Sequence, residues 1–452
     1  MKTFSEYIIS KLLECHNYTK KYINQPIKTI ITNEKCDIIA IGDIHGDIQL
    51  MLDTLTIGGV IKKTNVQNNN AIPIIRSVQK YDKKNNPLNY KWIEYYEWIG
   101  KNTIVVQVGD QIDRCRPQIN KNCDQLNVTY DDEESDIEIL LFFTNLHEKA
   151  HAVNDGSAVY SLLGNHELMN IIGDVRYVSY KNLEQLKLKN KEINKLEYED
   201  KNQEKEINEE VSNVMTYEDR NNNDNNNEEN EKNINNEEDE KNINNTNNYI
   251  KRRKNIFRRG GILAKFLAST RYSILIVNDY LFVHGGVLGS YIGSYIKKYN
   301  NIYREHFQHL NEKIKNYIIN KEVKQEQELE MYNFIFGTDS PFYTRKLGNI
   351  KINQYINGKY CKDVKNIIKY YSLKAIIVGH TPQNISINGT CFNDEDEKNK
   401  LFRIDVASSK AFKSWPIFNL QAQVLKISNN DTREILKFEN GKNGEIESTK
   451  IY

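Results

Sequence analysis

No stretch of this 452-residue chain approaches the run of about 20 apolar residues that a membrane-spanning helix needs. The first 21 residues mix Tyr7, Ile8, Ile9, Leu12 and Leu13 with Lys11, Glu14 and His16, which breaks the continuous apolar core of a signal peptide and predicts a short amphipathic helix instead. Charge of one sign is also lacking: 62 Lys and Arg stand against 61 Asp and Glu, a formal net charge of +1. Without a global field, neither nucleic acid nor an anionic membrane is an expected partner. The six cysteines (Cys15, Cys36, Cys115, Cys123, Cys361 and Cys391) lack metal-finger spacing, and a chain of this size does not need a disulfide framework. Reduced thiols and a cytoplasmic location are expected. Asn-x-Ser/Thr triplets, as at Asn17 and Asn388, read as incidental in an Asn-rich chain.

What is present suffices for a large core, since 39% of residues are hydrophobic. The composition breaks once: from about Tyr180 to Tyr249 it turns to Lys, Glu and Asn, with near-repeats around Glu231 and Glu240. Such a segment has too little to bury to offset its ordering entropy, so 181–249 is expected to be a disordered insertion. Its first part, Leu183 to Asn208, also suits a solvated charged helix. The basic cluster Lys251, Arg252, Arg253, Lys254, Arg258 and Arg259 reads as a solvated boundary, with a nuclear-import or acidic-partner role as the alternative. A second Asn/Lys-rich stretch, Lys62 to Asn89, looks like a smaller loop insertion. The expected layout is a helical extension over 1–35, one domain over 36–430 interrupted by that insertion, and a tail over 431–452.

The remainder reads as short apolar strands, at Asp37–Ile41, Thr103–Val108, Ala158–Leu163, Tyr280–Val283 and Ala375–Val378, separated by helical patterns such as Asp47–Leu55 and Ser135–Lys149. Two further strands, Ser273–Val277 and Leu401–Ile404, carry no expected ligand. Alternating strands and helices predict an α/β sheet, whose ligands gather beyond the carboxyl ends of the strands. There the ligand-bearing motifs fall: Gly42-Asp43-Ile44-His45-Gly46-Asp47, Gly109-Asp110-Gln111-Ile112-Asp113-Arg114, Gly164-Asn165-His166-Glu167, Val283-His284-Gly285-Gly286 and Gly379-His380-Thr381-Pro382.

These residue types suit two metal ions. Asp43 and His45, two apart on an extended segment, point the same way and clamp one ion. Asp110 bridges, one oxygen per ion, and Asn165, His284 and His380 complete the second site. Iron, manganese and zinc all accept such mixed carboxylate and imidazole ligands. A water between two cations loses a proton near neutral pH and becomes the nucleophile, so no Ser or Cys nucleophile is required. His166, diverging from Asn165 along the segment, is placed to protonate a leaving group, with Asp113 orienting it. Arg114 is a bidentate clamp for phosphate oxygens.

Together, in this order, these motifs resemble the calcineurin-like metallophosphoesterases, within them the phosphoprotein phosphatases, and most closely the Shewanella-like protein phosphatase branch. Gly164–Val178, Arg259–Leu267, Ser340–Arg345, Val378–Gln383 and Arg403–Phe412 are similar to that branch. The resemblance implies a metallophosphatase fold, a central β-sandwich flanked by helices with a dinuclear site at the strand ends. It assigns metal binding to Asp43, His45, Asp110, Asn165, His284 and His380, proton donation to His166 with Asp113, and phosphate binding to Arg114 and Arg345. It further implies a phosphoprotein substrate, with phosphotyrosine slightly favoured over phosphoserine and phosphothreonine, and two divalent ions, manganese first.

The chain departs from many relatives in having Cys115, Arg116 and Pro117 after Asp113-Arg114. Cys115 beside two arginines suits a lowered thiol pKa, against which stands an unreactive loop thiol. Arg116 reads as solvent-facing, with anion binding as the alternative. His147-Glu148-Lys149-Ala150-His151 satisfies the zinc-protease helix pattern, but on an outer helix and without the third histidine of one subclass. His16, His306 and His309 read as surface residues. The rival functions are a dinucleoside polyphosphate hydrolase or phosphodiesterase on the same fold, and a scaffold acting through its insertion.

Overall fold

The computed structural model describes residues 4–452 except 66, 83–85, 188–236, 291–292, 294–304, 321–323, 419 and 440–444. In chain order its strands are β1 Ile30–Ile31, β2 Asp37–Ile41, β3 Ile61–Thr64, β4 Ala71–Tyr81, β5 Pro87–Trp98, β6 Thr103–Gln107, β7 Ala158–Ser161 and β8 Ile274–Val277. There follow β9 Tyr280–Val283, β10 Ala375–Val378, β11 Asn388–Asn393, β12 Lys398–Arg403, β13 Gln423–Ile427, β14 Arg433–Phe438 and β15 Ile446–Lys450. Two six-stranded sheets run β1-β8-β9-β10-β12-β11 and β15-β14-β13-β2-β6-β7. The strands β2, β6 and β7 are parallel, as are β9, β10 and β12.

Side-chain alternation explains the layers. Ile38 and Ala40 of β2 and Ile104 and Val106 of β6 face Leu275, Phe282, Ile377 and Phe402 of the other sheet, forming the sandwich interior. Their neighbours Ile39, Ile41 and Val105 turn outward onto the helices Ile48–Ile57 and Asp136–Ala152. On the opposite face, Leu281, Val283, Ile376 and Val378 meet the helices Ile262–Thr270, Glu305–Ile319 and Lys362–Tyr371. Strands buried on both faces must be apolar throughout, which is why they read as continuous runs. Full burial of each such aliphatic side chain contributes about 1.5–3 kcal/mol. The expected α/β fold with a central sandwich is therefore the one observed.

Several boundaries need correction. The N-terminal extension does hold a helix, Phe4–Tyr22, but β1 then joins a sheet. The stretch Lys62–Asn89, expected as a loop, lies largely in a three-stranded antiparallel sheet, β3-β5-β4, where Ile72 and Ile74 are buried on one face. The tail 431–452 supplies β14 and β15, which extend the second sheet beyond β13. Most of the 181–249 insertion, 188–236, lies outside the described residues, as does most of the proposed Leu183–Asn208 helix. Its ends are built into the fold: Tyr180–Glu184 and Glu237–Phe257 are helices. Buried Asn182 accepts from Ser135 N at 3.0 Å and Asp136 N at 2.9 Å, capping the Asp136–Ala152 helix.

The cysteines also differ from expectation. Cys115 is bonded to Cys123 and Cys361 to Cys391, while Cys15 and Cys36 are free and buried. Cys115 is therefore not a reactive thiol in this structure.

Candidate metal centre and active site

The motif residues leave the ends of β2, β6, β7, β9 and β10, so the site straddles both sheets at one edge of the sandwich. Packing there is tight. A β-carbon on Gly164 would lie 2.1 Å from Asp110 Oδ1, and one on Gly379 would lie 2.4 Å from Asp43 Oδ1. Glycine is needed at these positions so that backbone can approach the carboxylates. His45, Asp110, Asp113 and His380 all adopt positive φ, at 47°, 53°, 71° and 64°. Such strain persists only where surrounding bonds over-determine it. Here Ile44 N and His45 N both donate to Asp110 O, at 3.0 and 2.9 Å. The buried Glu167 carboxylate accepts from Asp110 N (3.0 Å), Gln111 N (2.7 Å), Ile112 N (3.3 Å) and Gly164 N (2.7 Å), pinning two motifs together.

Asp110 is the hub. Its Oδ2 lies 3.2 Å from His284 Nε2, 3.8 Å from His45 Nε2 and 3.9 Å from His166 Nε2. Two groups of candidate ligands share it, His45–Asp110–His166 and Asp110–His284–His380, each with ligand atoms within 4.8 Å of one another. His284 Nδ1 donates to Val108 O at 2.9 Å, which leaves Nε2, 3.0 Å from Asn165 Oδ1, as the nitrogen that faces the site. Asp43 Oδ2 sits 3.8 Å from His45 Nε2 and 3.1 Å from the backbone N–H of His380. His45 Nδ1 is buried with no partner. All six expected metal ligands are thus gathered here, although Asp43 and His45 meet across a turn rather than along an extended segment.

The electrostatics suit divalent cations. Burial, then the Asp405 and Asp110 charges, push the Asp43 carboxyl well above its usual range. Burial raises Asp110 too, but the imidazoles of His284, His166 and His45 outweigh it and hold this carboxyl well below. Burial drives His45 and His380 well below the usual histidine range. Against its burial, His284 is raised by the Asp110 charge. Buried carboxylates gathered with imidazoles, of which His45 and His380 are held neutral, match the donor set of divalent ions.

Asp405 was not found by sequence reading. The strand before it was expected to end without a ligand, yet Asp405 stands just beyond β12, is 2% exposed, and keeps Oδ2 unpartnered. Burial, opposed by the Ala407 N–H, moves it up to about 6. Its only sequence signal is membership of the Arg403–Phe412 segment.

His166 is the second residue of the Asn165–Ile171 helix, about 100° around the axis from Asn165 rather than beside it on a strand. Its Nδ1 lies 2.8 Å from Asp113 Oδ2. Asn170 Nδ2 donates to both Asp113 oxygens, at 3.0 and 3.1 Å. Behind them sits Arg253, a member of the basic cluster expected in solvent. It is fully buried, donates from Nε to Asn170 Oδ1 (2.9 Å) and from Nη2 to Asp136 Oδ2 (2.8 Å), and lies 3.8 Å from Asp113 Oδ1. Neither boundary nor import signal describes it.

The two proposed phosphate ligands differ in placement. Arg345 is exposed and anchored by an Nη1 bond to His380 O at 2.9 Å. Arg114 is 1% exposed, with Nη1 donating to Gly46 O (2.8 Å) and Glu133 Oε1 (3.0 Å) and Nη2 to Asp131 O (3.0 Å). Arg116 is partly buried against the Phe412 and Tyr177 rings rather than solvent-facing. In the zinc-protease pattern, His147 Nδ1 pairs with Val159 O at 2.8 Å and Glu148 with Lys21 and Tyr22, so these groups form no metal cluster among the described residues. His306 is also buried, 3.1 Å from the Tyr371 hydroxyl, contrary to its expected surface place.

Comparison with known proteins agrees with this geometry. The calcineurin-like phosphoesterase family matches residues 37–384. An uncharacterized protein of Acanthamoeba polyphaga mimivirus is 30% identical over 298 residues, 64% of this chain and 95% of that one. Shewanella-like protein phosphatase 2 of Arabidopsis thaliana is 25% identical over 386 residues, 82% and 71% of the two chains. Among solved structures, the cold-active protein-tyrosine phosphatase of a psychrophilic Shewanella species aligns with a TM-score of 0.50 at 18% identity, over 94% of this chain and 83% of that one, a likeness of fold. The chain belongs to the calcineurin-like phosphoesterases and is a hydrolase of the phosphatase type, built to carry divalent metal ions.

Proposed function

We propose that this phosphoesterase is a protein phosphatase that hydrolyses phosphomonoesters on phosphoproteins, phosphotyrosine ahead of phosphoserine and phosphothreonine. The observation that carries the reading is Asp110 lying between two imidazole groups, with His166 beside it and backed by Asp113 at 2.8 Å. In this reading Asp43, His45, Asp110, Asn165, His284 and His380 hold two divalent ions, manganese first, with iron and zinc as alternatives. Bound there, such ions supply a hydroxide nucleophile near neutral pH and neutralise phosphate charge.

The protein's own groups do the rest. Asp113 holds Nδ1 of His166, which leaves Nε2 to deliver a proton to the departing oxygen, a contribution of roughly 10²–10⁴-fold. Arg345 offers N–H groups to phosphate oxygens from the rim. Arg114 fixes the Gly46 turn through its bond to Gly46 O, and it reaches phosphate by exchanging one of its other protein bonds. Preference for an aromatic phosphoester is supported by three rings packed on site histidines: Phe412 on His45 (5.4 Å between centroids), Tyr177 on His166 (4.9 Å) and Tyr343 on His380 (5.5 Å). The presence of cold-active protein-tyrosine phosphatases among its fold neighbours is consistent with that preference. The two disulfides favour an oxidising compartment over the cytoplasmic one expected from sequence.

The test is an assay of the purified chain with manganese against a phosphotyrosine peptide, a phosphoserine peptide and a dinucleoside tetraphosphate. Hydrolysis of the phosphopeptides, fastest for phosphotyrosine, is expected. Turnover of only the dinucleotide, or none with any metal, overturns the reading.

A further inference from the structure

Beside the metal centre lies a cavity of about 520 Å³ whose wall includes Lys80, Arg114, Arg116, Lys410 and Lys413, with Asp131 the single carboxylate among its lining residues. Its volume falls within the range of about 300–1,000 Å³ typical of ligand sites. Asp131 offsets one cation, lying 3.7 Å from Lys410 Nζ, and Arg114 is balanced by Glu133. Lys80 and Lys413 are exposed at the edge, and Lys413 stands over the Tyr130 ring at 5.3 Å. The wall thus keeps a surplus of positive charge. It also holds a buried donor in want of an acceptor: Arg114 Nε has no partner.

Arg116 is the partition between this cavity and the metal ligands. Its guanidinium lies 4.5 Å from the Phe412 ring centre and 5.5 Å from that of Tyr177, the rings that pack on His45 and His166. Its Nη1 donates to the backbone oxygens of Asp113 and Cys115, at 3.1 and 2.8 Å. The Cys115–Cys123 bond ties down the loop that carries it. A polypeptide with one residue at the metal centre would have its neighbours within reach of the cationic wall.

We propose that this cavity is a second oxyanion subsite, taking an acidic side chain that flanks the phosphoresidue being hydrolysed, either a carboxylate or a second phosphate. The proposal rests on the protein-phosphatase reading and adds a substrate preference to it. Attraction of this kind acts on encounter and on kcat/KM, and it weakens as salt rises.

The experiment compares three phosphotyrosine peptides of one backbone, flanked by neutral residues, by glutamates, or by a second phosphoresidue. With the manganese-loaded full chain, kcat/KM is expected to be at least about fivefold higher for an acidic flank. That ratio falls toward one in Lys410→Ala/Lys413→Ala and is kept in Lys365→Ala, on a helix outside the cavity. The faster acidic arm identifies the preferred oxyanion. Equal rates for all three peptides overturn the subsite and leave the phosphatase reading standing, as does a ratio that the double variant does not reduce. Failure to hydrolyse any phosphopeptide overturns both.

Discussion

Arg253 Nη2 lies 3.8 Å from Asp113 Oδ1, joining the helix at the end of the polar insertion to the carboxylate bonded to His166. Arg253→Lys keeps the charge but loses the planar fork that spans Asn170 and Asp136. Thermal unfolding is expected to show a loss of about 1–3 kcal/mol. Steady-state kinetics should show kcat down roughly tenfold with KM little changed, since the variant loosens an orienting partner rather than a substrate contact.

His166 sits close enough to Asp110 to be counted with the metal ligands, yet its other nitrogen is committed to Asp113. If His166 donates the proton, His166→Asn is expected to lower kcat by roughly 10²–10⁴-fold and to bind as much metal as the wild type. Metal analysis of the purified variant separates the roles, because loss of an ion would make His166 a ligand. A substrate with a better leaving group should recover part of the lost rate.

Asp405 brings an unpartnered oxygen to a site crowded with carboxylates. Asp405→Asn removes negative charge that bound cations would use. Metal affinity is expected to fall roughly 10–100-fold, as titration of the apoprotein would show. The apoprotein itself should become more stable, because Asp43 and Asp110 lose a repelling neighbour.

Asp132 gives a pH signature away from the metals. Burial, outweighing its bonds from Ser179 and the Lys181 N–H, raises its carboxyl to about 6. The folded state then holds a proton that the unfolded chain releases near pH 4, so stability falls as pH rises from about 4 to 6. At about 1.4 kcal/mol per pH unit, that loss is bounded near 3 kcal/mol. Asp132→Asn should remove it, which denaturant unfolding at pH 4.5 and pH 7 would reveal as a flatter profile.

The Cys361–Cys391 bond ties the start of the Lys362–Tyr371 helix to β11 across 30 residues of chain. The chain-entropy account gives such a loop about 3–4 kcal/mol. A Cys361→Ala/Cys391→Ala variant should unfold at correspondingly lower denaturant, and wild type treated with a reductant, which also opens Cys115–Cys123, should unfold at least as early.

The core of the site was legible because its ligands announce themselves locally. Asp43, Asp110, Asn165 and His380 each follow a glycine at the end of an apolar run, and that glycine is a steric requirement of the site. Asp405 has no such flank: it sits between Ile404 and Val406, and its role depends on β12 lying beside β10. Arg253 was hidden by its company, since its basic neighbours suggest solvent while only docking of the Glu237–Phe257 helix shows which one turns inward. The β4–β5 hairpin was masked by Asn and Lys at its turn, although Ile72 and Ile74 already carry the two-residue period of a half-buried strand. The disulfides are pairings in space, which spacing along the chain does not encode.

The C-terminal strands bear on where the domain may be cut. A chain ended at residue 430, the boundary that the family resemblance suggests, would lose β14 and β15 and leave one side of β13 as a bare row of backbone donors and acceptors. Ile435, now buried against the sandwich interior, would go with them. An uncovered flat edge recruits strands from other molecules, so the shorter chain should associate with itself even with every metal ligand in place.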